Sequence, residues 1–325
     1  MRRQYYIMVK VTIFGATGTI GKTVTFKLAS TDIVDEIVLF TRKTSIDKAT
    51  GEVFDMYDAL AAEDIDCKLI PSYDYNDIRN SDIVLISAGT HRSKGMNRLE
   101  LAIPNAKIVQ EYAKQTAIYA PNAIILVTTN PVDVMTNIAL EASGFNRRKV
   151  IGLGNHLDSL RLKTYLSKHL NINSREVHTR VVGEHGDHMV PLLSSTTIGG
   201  LPLNYFAEPT SLDVPDIVNR LKTAGNTIIG KKGATEYGPA YAISNLIKTI
   251  LTDSHKILTV SIYLQGEILG VSDVCLGVPV ILYRHGILFI VPITMNDDEK
   301  EEFLKASKSI KDVTEKVRQY LKDNP

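Results

Sequence analysis

The chain has no excess charge of either sign, almost no cysteine and no long apolar run. Its 37 lysines and arginines stand against 36 aspartates and glutamates, so no one-signed surface field favours nucleic acid or an anionic membrane. Small-molecule partners are expected instead. The two cysteines, Cys67 and Cys275, lie in apolar stretches without ligand or redox spacing, which fits buried free thiols in a reducing compartment. No apolar run reaches the roughly 18 residues of a spanning helix, and the opening "MRRQYYIMVKVTIF" has no cleavable-signal layout. The expectation is a cytoplasmic protein in which the residues before Met8 are an upstream start extension. Internal repeats and low-complexity tracts are missing too.

What is present is a core: 325 residues with 44% hydrophobic content make one large or two medium domains. From Val9, short apolar runs ("KVTIF", "EIVLF", "DIVLISAG", "AIILVTTN", "KVIGLG") alternate with amphipathic stretches. That alternation predicts parallel strands covered on both faces by crossover helices, one of them starting after Pro131. Beyond His156 the texture changes. A helix "HLDSLRLKTYLSKHL" and a short strand "EVHTRVVG" lead to helices over 213–232 and 236–251, three hairpin-linked strands and a closing helix from about Asp297. The expected fold class is α/β: a doubly wound dinucleotide-binding sheet over 8–154, then a mixed α+β domain with antiparallel strands over 155–325.

The first strand runs into "GATGTIG", with Gly15, Gly18 and Gly21. Glycine lets the backbone turn tightly and brings the N–H groups of the following helix against a pyrophosphate, where the helix dipole favours negative charge. About twenty residues on, an Asp or Glu ordinarily takes the adenosine ribose hydroxyls. Here Thr41 stands at that strand end, followed by Arg42, Lys43, Thr44 and Ser45, while Asp35 and Glu36 lie at the strand's other end. Cations and hydroxyls suit a 2′-phosphate, so NADP(H) is the preferred cofactor, with NAD(H) tolerated.

Later strand ends carry "SAGTHRSKGMNRLEL", a cationic loop with the makeup of a lid (Arg92, Lys94, Arg98), and "TTNPVD", which puts Asn130 at a strand end. "HLDSLR" sets Asp158 and Arg161 three apart on one helix face. "GEHGDHMVP" gathers Glu184, His185, Asp187 and His188. By spacing alone these four supply metal ligands as readily as a proton carrier.

Together, "GATGTIG", "GMNR", "TTNPVD", "HLDSLR", "GEHGDHMVP" and "KGATEYGPA" resemble the lactate/malate dehydrogenase family, in particular its archaeal malate dehydrogenase branch, over essentially the whole chain from Met8. The resemblance implies that His185 is the catalytic acid/base, Asp158 its orienting carboxylate and Arg161 the clamp on the substrate's α-carboxylate. Arg98 matches the loop arginine that polarises the carbonyl, and Arg92 the position that selects the substrate's far end. Asn130 and Thr235 would line the substrate pocket. The implied cofactor site is Gly15, Thr17, Gly18, Thr19, Ile20, Gly21, Thr41, Arg42, Lys43, Ser45, Ala88, Gly89, Asn105, Val127, Thr129 and Asn130. Two departures stand out: His91 where the branch often carries proline, and Thr41 in place of the usual acid.

The chemistry agrees with these roles. Reducing a 2-keto acid needs a hydride at carbon and a proton at oxygen, and histidine delivers a proton near neutrality. With acid, electrophile and hydride donor supplied, a metal has no remaining task, so none is expected. His188 then reads as an incidental polar contact or interface residue and Asp187 as a holder of loop geometry. The implied reaction is malate/oxaloacetate conversion, because Arg92 would give a second carboxylate its counter-charge. A lactate dehydrogenase would differ chiefly at Arg92. A binding protein without turnover would show a disabling change among the catalytic four, and there is none. Family members are usually oligomers, so a homodimer or homotetramer is expected, with the helices near 18–30, 156–170 and 213–232 as candidate interface faces.

Overall fold

Apolar runs that bury both faces set the frame. The computed structural model describes residues 8–90, 98–206 and 212–324, with the backbone alone at position 98. The expectation for the residues before Met8 lies outside this range.

The first half alternates β1 (Lys10–Phe14), α1 (Thr19–Ala29), β2 (Glu36–Phe40), α2 (Ile46–Ala62), β3 (Lys68–Ser72), β4 (Ile83–Ile86), α3 (Arg98–Tyr119), β5 (Ile124–Val127), α4 (Val132–Ser143) and β6 (Val150–Gly152). These strands pair in parallel in the order β3-β2-β1-β4-β5-β6. That is the doubly wound order whose crevice lies beyond the carboxyl ends of β1 and β4, where the direction of winding reverses. Every residue of β1, β2, β4 and β5 is buried, which is why they read as continuous apolar runs. β3 is the strand that the apolar pattern does not announce. It is at the sheet edge, begins with an exposed lysine and contains Pro71, a residue that only an edge strand accommodates.

The second half continues with α5 (His156–His169), β7 (Val177–His178), β8 (Val181–Gly183), β9 (Met189–Pro191), β10 (Thr197–Ile198), β11 (Leu201–Pro202), α6 (Val214–Lys232), α7 (Tyr237–Leu251), β12 (Ile257–Gln265), β13 (Ser272–Tyr283), β14 (Gly286–Ile290) and α8 (Asp297–Asp323). The sheet carries on past β6 through antiparallel β12, β13, β8 and β9, and β14 pairs with β13. The stretch "EVHTRVVG", expected as one strand, is two. β7 joins the small β11-β10-β7 sheet and β8 the large one. Val177 on β7 and Val181 on β8 share a small apolar cluster with α5 and α6, while Val182 faces the main core. Gly183, which ends β8 at φ +86°, delivers the chain to the histidine turn. Both cysteines are buried free thiols. Among the described residues, no helix is long and apolar enough to cross a membrane.

Candidate active site

The turn after β1 is made for close approach. Gly15 has φ +85°, and a Cβ there would sit 2.7 Å from the backbone of Ala88, just past β4. A Cβ on Gly21 would meet the Gly15 carbonyl oxygen at 2.3 Å, and one on Gly18 would meet it at 3.3 Å. Gly18 is the N-cap of α1 and brings no side chain to it. The first-turn N–H groups of Thr19, Ile20 and Gly21 are therefore left for a group beyond the helix end.

Beside this turn stands a wall of interlocked polar groups. Asn105 accepts the Thr90 N–H at 2.7 Å and donates to the Asn130 carbonyl at 2.7 Å, and the Thr129 hydroxyl donates to the Ala88 carbonyl at 2.7 Å. A Cβ on Gly89 would lie 2.7 Å from the Thr129 methyl. Asn105, Val127 and Thr129, three of the residues expected at the cofactor, are buried, and the Asn105 and Thr129 side chains are hydrogen-bonded within this wall. Gly89 and Asn130 are exposed on it.

At the end of β2, the buried Thr41 side chain faces that of Thr17, with 3.4 Å between the hydroxyl oxygens. Arg42, Lys43 and Thr44 are exposed and Ser45 is half-buried, with the Lys43 ammonium 5.8 Å from the centre of the Tyr73 ring. Asp35 and Glu36 are occupied at the opposite end: Asp35 accepts the Val9 N–H at 2.6 Å, and Glu36 pairs with Lys10 at 2.8 Å and Lys68 at 2.9 Å.

The second cluster brings α5 against the turn between β8 and β9. His185 Nδ1 is 2.6 Å from Asp158 Oδ2, and Arg161 donates to Asp158 Oδ1 at 3.0 Å. Asp158 is fully buried in the first turn of α5, while the side chains of His185 and Arg161 retain 23% and 20% exposure and so stay accessible. Burial by itself would lower the proton affinity of His185; the Asp158 carboxylate outweighs it and holds the imidazole above its ordinary value. Burial would likewise raise Asp158, but His185 and Arg161 keep its carboxyl below the usual range.

Further residues brace this pair. Buried Asn155 donates to the Glu184 carbonyl at 3.0 Å and lies 3.4 Å from Asp158 Oδ2. The Glu184 carboxylate accepts the Asp187 N–H at 3.2 Å and so closes the turn. Asp133 Oδ2 accepts the His185 backbone N–H at 2.8 Å, and its Oδ1 accepts the Ser261 hydroxyl at 2.6 Å. Asn155 and Ser261 lie outside the quoted motifs, and Asp133 closes "TTNPVD", where the sequence points to a role for Asn130 alone. His188 lies 3.8 Å from Glu302 on α8, so the two histidines of the turn face different carboxylates. Among the described residues, no group of three His, Cys, Asp or Glu side chains is arranged to hold a metal. His156, next to Asn155, is a core residue bonded to Asn245 at 3.2 Å.

Thr235 and Arg161 line one open cavity of about 600 Å³ between α5, α6 and α7. Glu236, beside Thr235, accepts the Thr23 hydroxyl of α1 at 3.0 Å, so this wall is tied to the helix that follows the glycine turn. Arg92 and Lys94 lie outside the described residues, as does the side chain of Arg98, whose backbone opens α3.

A dinucleotide-type glycine turn on a doubly wound sheet, and a histidine–carboxylate–arginine cluster beside the antiparallel continuation of that sheet, define an α/β protein of the dehydrogenase kind. The chain belongs to the lactate/malate dehydrogenase family: residues 9–152 match its NAD binding domain and residues 155–321 its alpha/beta C-terminal domain. It is 65% identical to the malate dehydrogenase of Methanosphaera stadtmanae, over 97% of this chain and 99% of that protein. It is 44% identical to the L-2-hydroxycarboxylate dehydrogenase (NAD(P)(+)) of Methanocaldococcus jannaschii, over 95% of this chain and 99% of that protein. Among solved structures, Cryptosporidium parvum malate dehydrogenase superposes with a TM-score of 0.89 at 33% identity, over 96% of this chain and 100% of that one.

Proposed function

We propose that the chain is a cytoplasmic malate dehydrogenase, interconverting oxaloacetate and malate with a nicotinamide cofactor and using His185 as proton donor and acceptor. The fixed His185–Asp158–Arg161 arrangement supports the 2-hydroxy-acid chemistry, and the 65% identity to a malate dehydrogenase supports malate over lactate. With Nδ1 committed to Asp158 at 2.6 Å, Nε2 is the nitrogen that exchanges a proton. In reduction, imidazolium Nε2–H gives its proton to the carbonyl oxygen as that oxygen becomes a hydroxyl; in oxidation, neutral Nε2 takes it back. A buried carboxylate behind the ring stabilises the imidazolium and fixes the tautomer. Arg161, its plane set by Asp158, presents a fork suited to the carboxylate next to the reacting carbon. Arg98 is assigned to the carbonyl oxygen, Arg92 to the distal carboxylate, and Asn130 and Thr235 to the pocket walls.

The glycine turn fits a dinucleotide, because the positions where a Cβ would collide leave bare backbone and unused helix N–H groups at one place. Gly15, Gly18, Gly21 and the first turn of α1 would hold the pyrophosphate, and Thr17, Thr41, Arg42, Lys43 and Ser45 the adenosine ribose. When bound, the cofactor supplies the hydride. We assign a preference for NADP(H), with NAD(H) accepted, because Thr41 and exposed Arg42 stand where a carboxylate would repel a 2′-phosphate. The cofactor domain is taken as 8–154 and the substrate domain as 155–325. Leu160, Tyr237 and Tyr241 are exposed around the α5–α6–α7 cavity, which supports a homodimer or homotetramer closed over that face. Initial rates with oxaloacetate and pyruvate, each with NADPH and NADH, test the assignment; a faster pyruvate reaction would make it a lactate enzyme.

A further inference from the structure

Three elements remote in sequence converge on one carboxylate. Asp133 sits in the first turn of α4, is 1% exposed and is flanked by buried Val132 and Val134. Ser261 reaches it from the middle of β12. That reach depends on Gly152, the register partner of Ser261 on β6: a Cβ there would lie 2.3 Å from the Thr136 hydroxyl and 2.8 Å from the Ser261 Cβ. From the other side, the backbone of His185 donates its N–H to Asp133. His185 is thus held twice, by its ring through Asp158 and by its main chain through Asp133.

We propose that Asp133 is a positioning residue for proton transfer: its carboxylate, steadied by Ser261, anchors the main chain of His185 to α4 and adds negative charge behind the imidazole. This rests on His185 being the proton carrier. The position does not favour a charge for its own sake. Burial pushes the Asp133 carboxyl up to about 6, Glu184 adds to the rise, and the Ser261 hydroxyl and the His185 N–H oppose it. Cys275 on β13, a buried thiol pushed up by burial, also feels the Asp133 charge. A carboxyl raised above its unfolded value makes folding less favourable as pH climbs through that window, so a neutral isostere should be no less stable at pH 7. A carboxylate here costs stability, and its return is at His185, whose proton affinity it raises.

The test uses the intact enzyme with oxaloacetate and cofactor, comparing wild type, Asp133→Asn and Asp133→Ala from pH 6 to 9, with cofactor titration by fluorescence and Tm at pH 7 as controls. Asparagine keeps the acceptor for the His185 N–H and removes the charge. It should retain most of kcat and a Tm not below wild type, while the alkaline limb of oxaloacetate reduction moves to lower pH, because less negative charge holds the His185 proton. Alanine removes the anchor and should lower kcat on the order of 10²-fold, the scale of a misplaced reacting group, with cofactor affinity unchanged. An alanine variant with the wild-type kcat, or an asparagine variant whose limb does not move, overturns the proposal. If the alanine variant does not fold, wild-type protein with isotope-labelled histidine decides. Compared with Asp133→Asn labelled in the same way, its His185 ring should hold its proton to higher pH, because the extra negative charge lies behind it, and equal ring titrations overturn the proposal. A wild type with no oxaloacetate activity would instead overturn the functional reading.

Discussion

His185 and Asp158, 27 residues apart, meet at 2.6 Å between Nδ1 and Oδ2, and the carboxylate in that contact is fully buried. Everything assigned to proton transfer depends on it. His185→Asn should therefore lower kcat by about 10²- to 10⁴-fold, the range for loss of a general acid/base. Cofactor affinity should survive, since the glycine turn is a separate structure. Steady-state rates beside a fluorescence titration check both, and a folded variant with wild-type kcat would remove His185 from the mechanism.

The adenosine end makes an independent prediction. Thr41→Asp places a carboxylate beside Thr17 and Arg42 and should lower kcat/KM for NADPH far more than for NADH. Equal losses with the two cofactors would mean that the ribose does not lie against Thr41.

Gly277 on β13 tests how tightly the dyad is braced. A Cβ there would fall 1.8 Å from Asn155 Oδ1 and 3.1 Å from the Gly183 carbonyl, and Asn155 is the residue that bridges Asp158 and Glu184. Gly277→Ala should cost about 1–3 kcal/mol of stability by overpacking and lower kcat as well. Adding Asn155→Ala should recover part of the stability but not the rate, a non-additivity that denaturation curves and kinetics would show. A fully additive pair would contradict the contact.

His156 carries a pH prediction for stability. Burial lowers its imidazole from 6.5 to about 4, so between those values the unfolded chain binds more protons than the folded one. Its contribution is present above about 6.5 and lost as pH falls toward 4, about 3 kcal/mol in all. His156→Gln should flatten the difference in stability between pH 7 and pH 4.5. Parallel stability curves for the two proteins would show that His156 is not held neutral by burial.

Much of this architecture is legible in the sequence. β1, β2, β4 and β5 are buried on both faces, and an apolar run reports that directly. β3 was not, because an edge strand with Lys68 exposed and Pro71 inside it has no such run. The division of "EVHTRVVG" was hidden because Val177 of β7 and Val181 of β8 enter the same apolar cluster, so the stretch reads as one strand, and only pairing with different sheets separates the two. In the site, His185, Asp158 and Arg161 stand in compact motifs. Asp133 stands in one too, at the end of "TTNPVD", but its role does not show there: its contact with Ser261 spans 128 residues and exists only once the sheet brings the two together.

In the proposed mechanism the preference for a dicarboxylate is assigned to Arg92. With Arg161 assigned to one carboxylate and Arg98 to the carbonyl, a second carboxylate needs its own counter-charge, and pyruvate would leave a desolvated guanidinium unpaired at a cost of several kcal/mol. Initial rates with oxaloacetate and pyruvate, each with NADPH and NADH, for wild type and Arg92→Gln measure this directly. The account predicts a wild type that strongly favours oxaloacetate and a variant that loses most of that preference through the oxaloacetate rate; a wild type faster on pyruvate would contradict it.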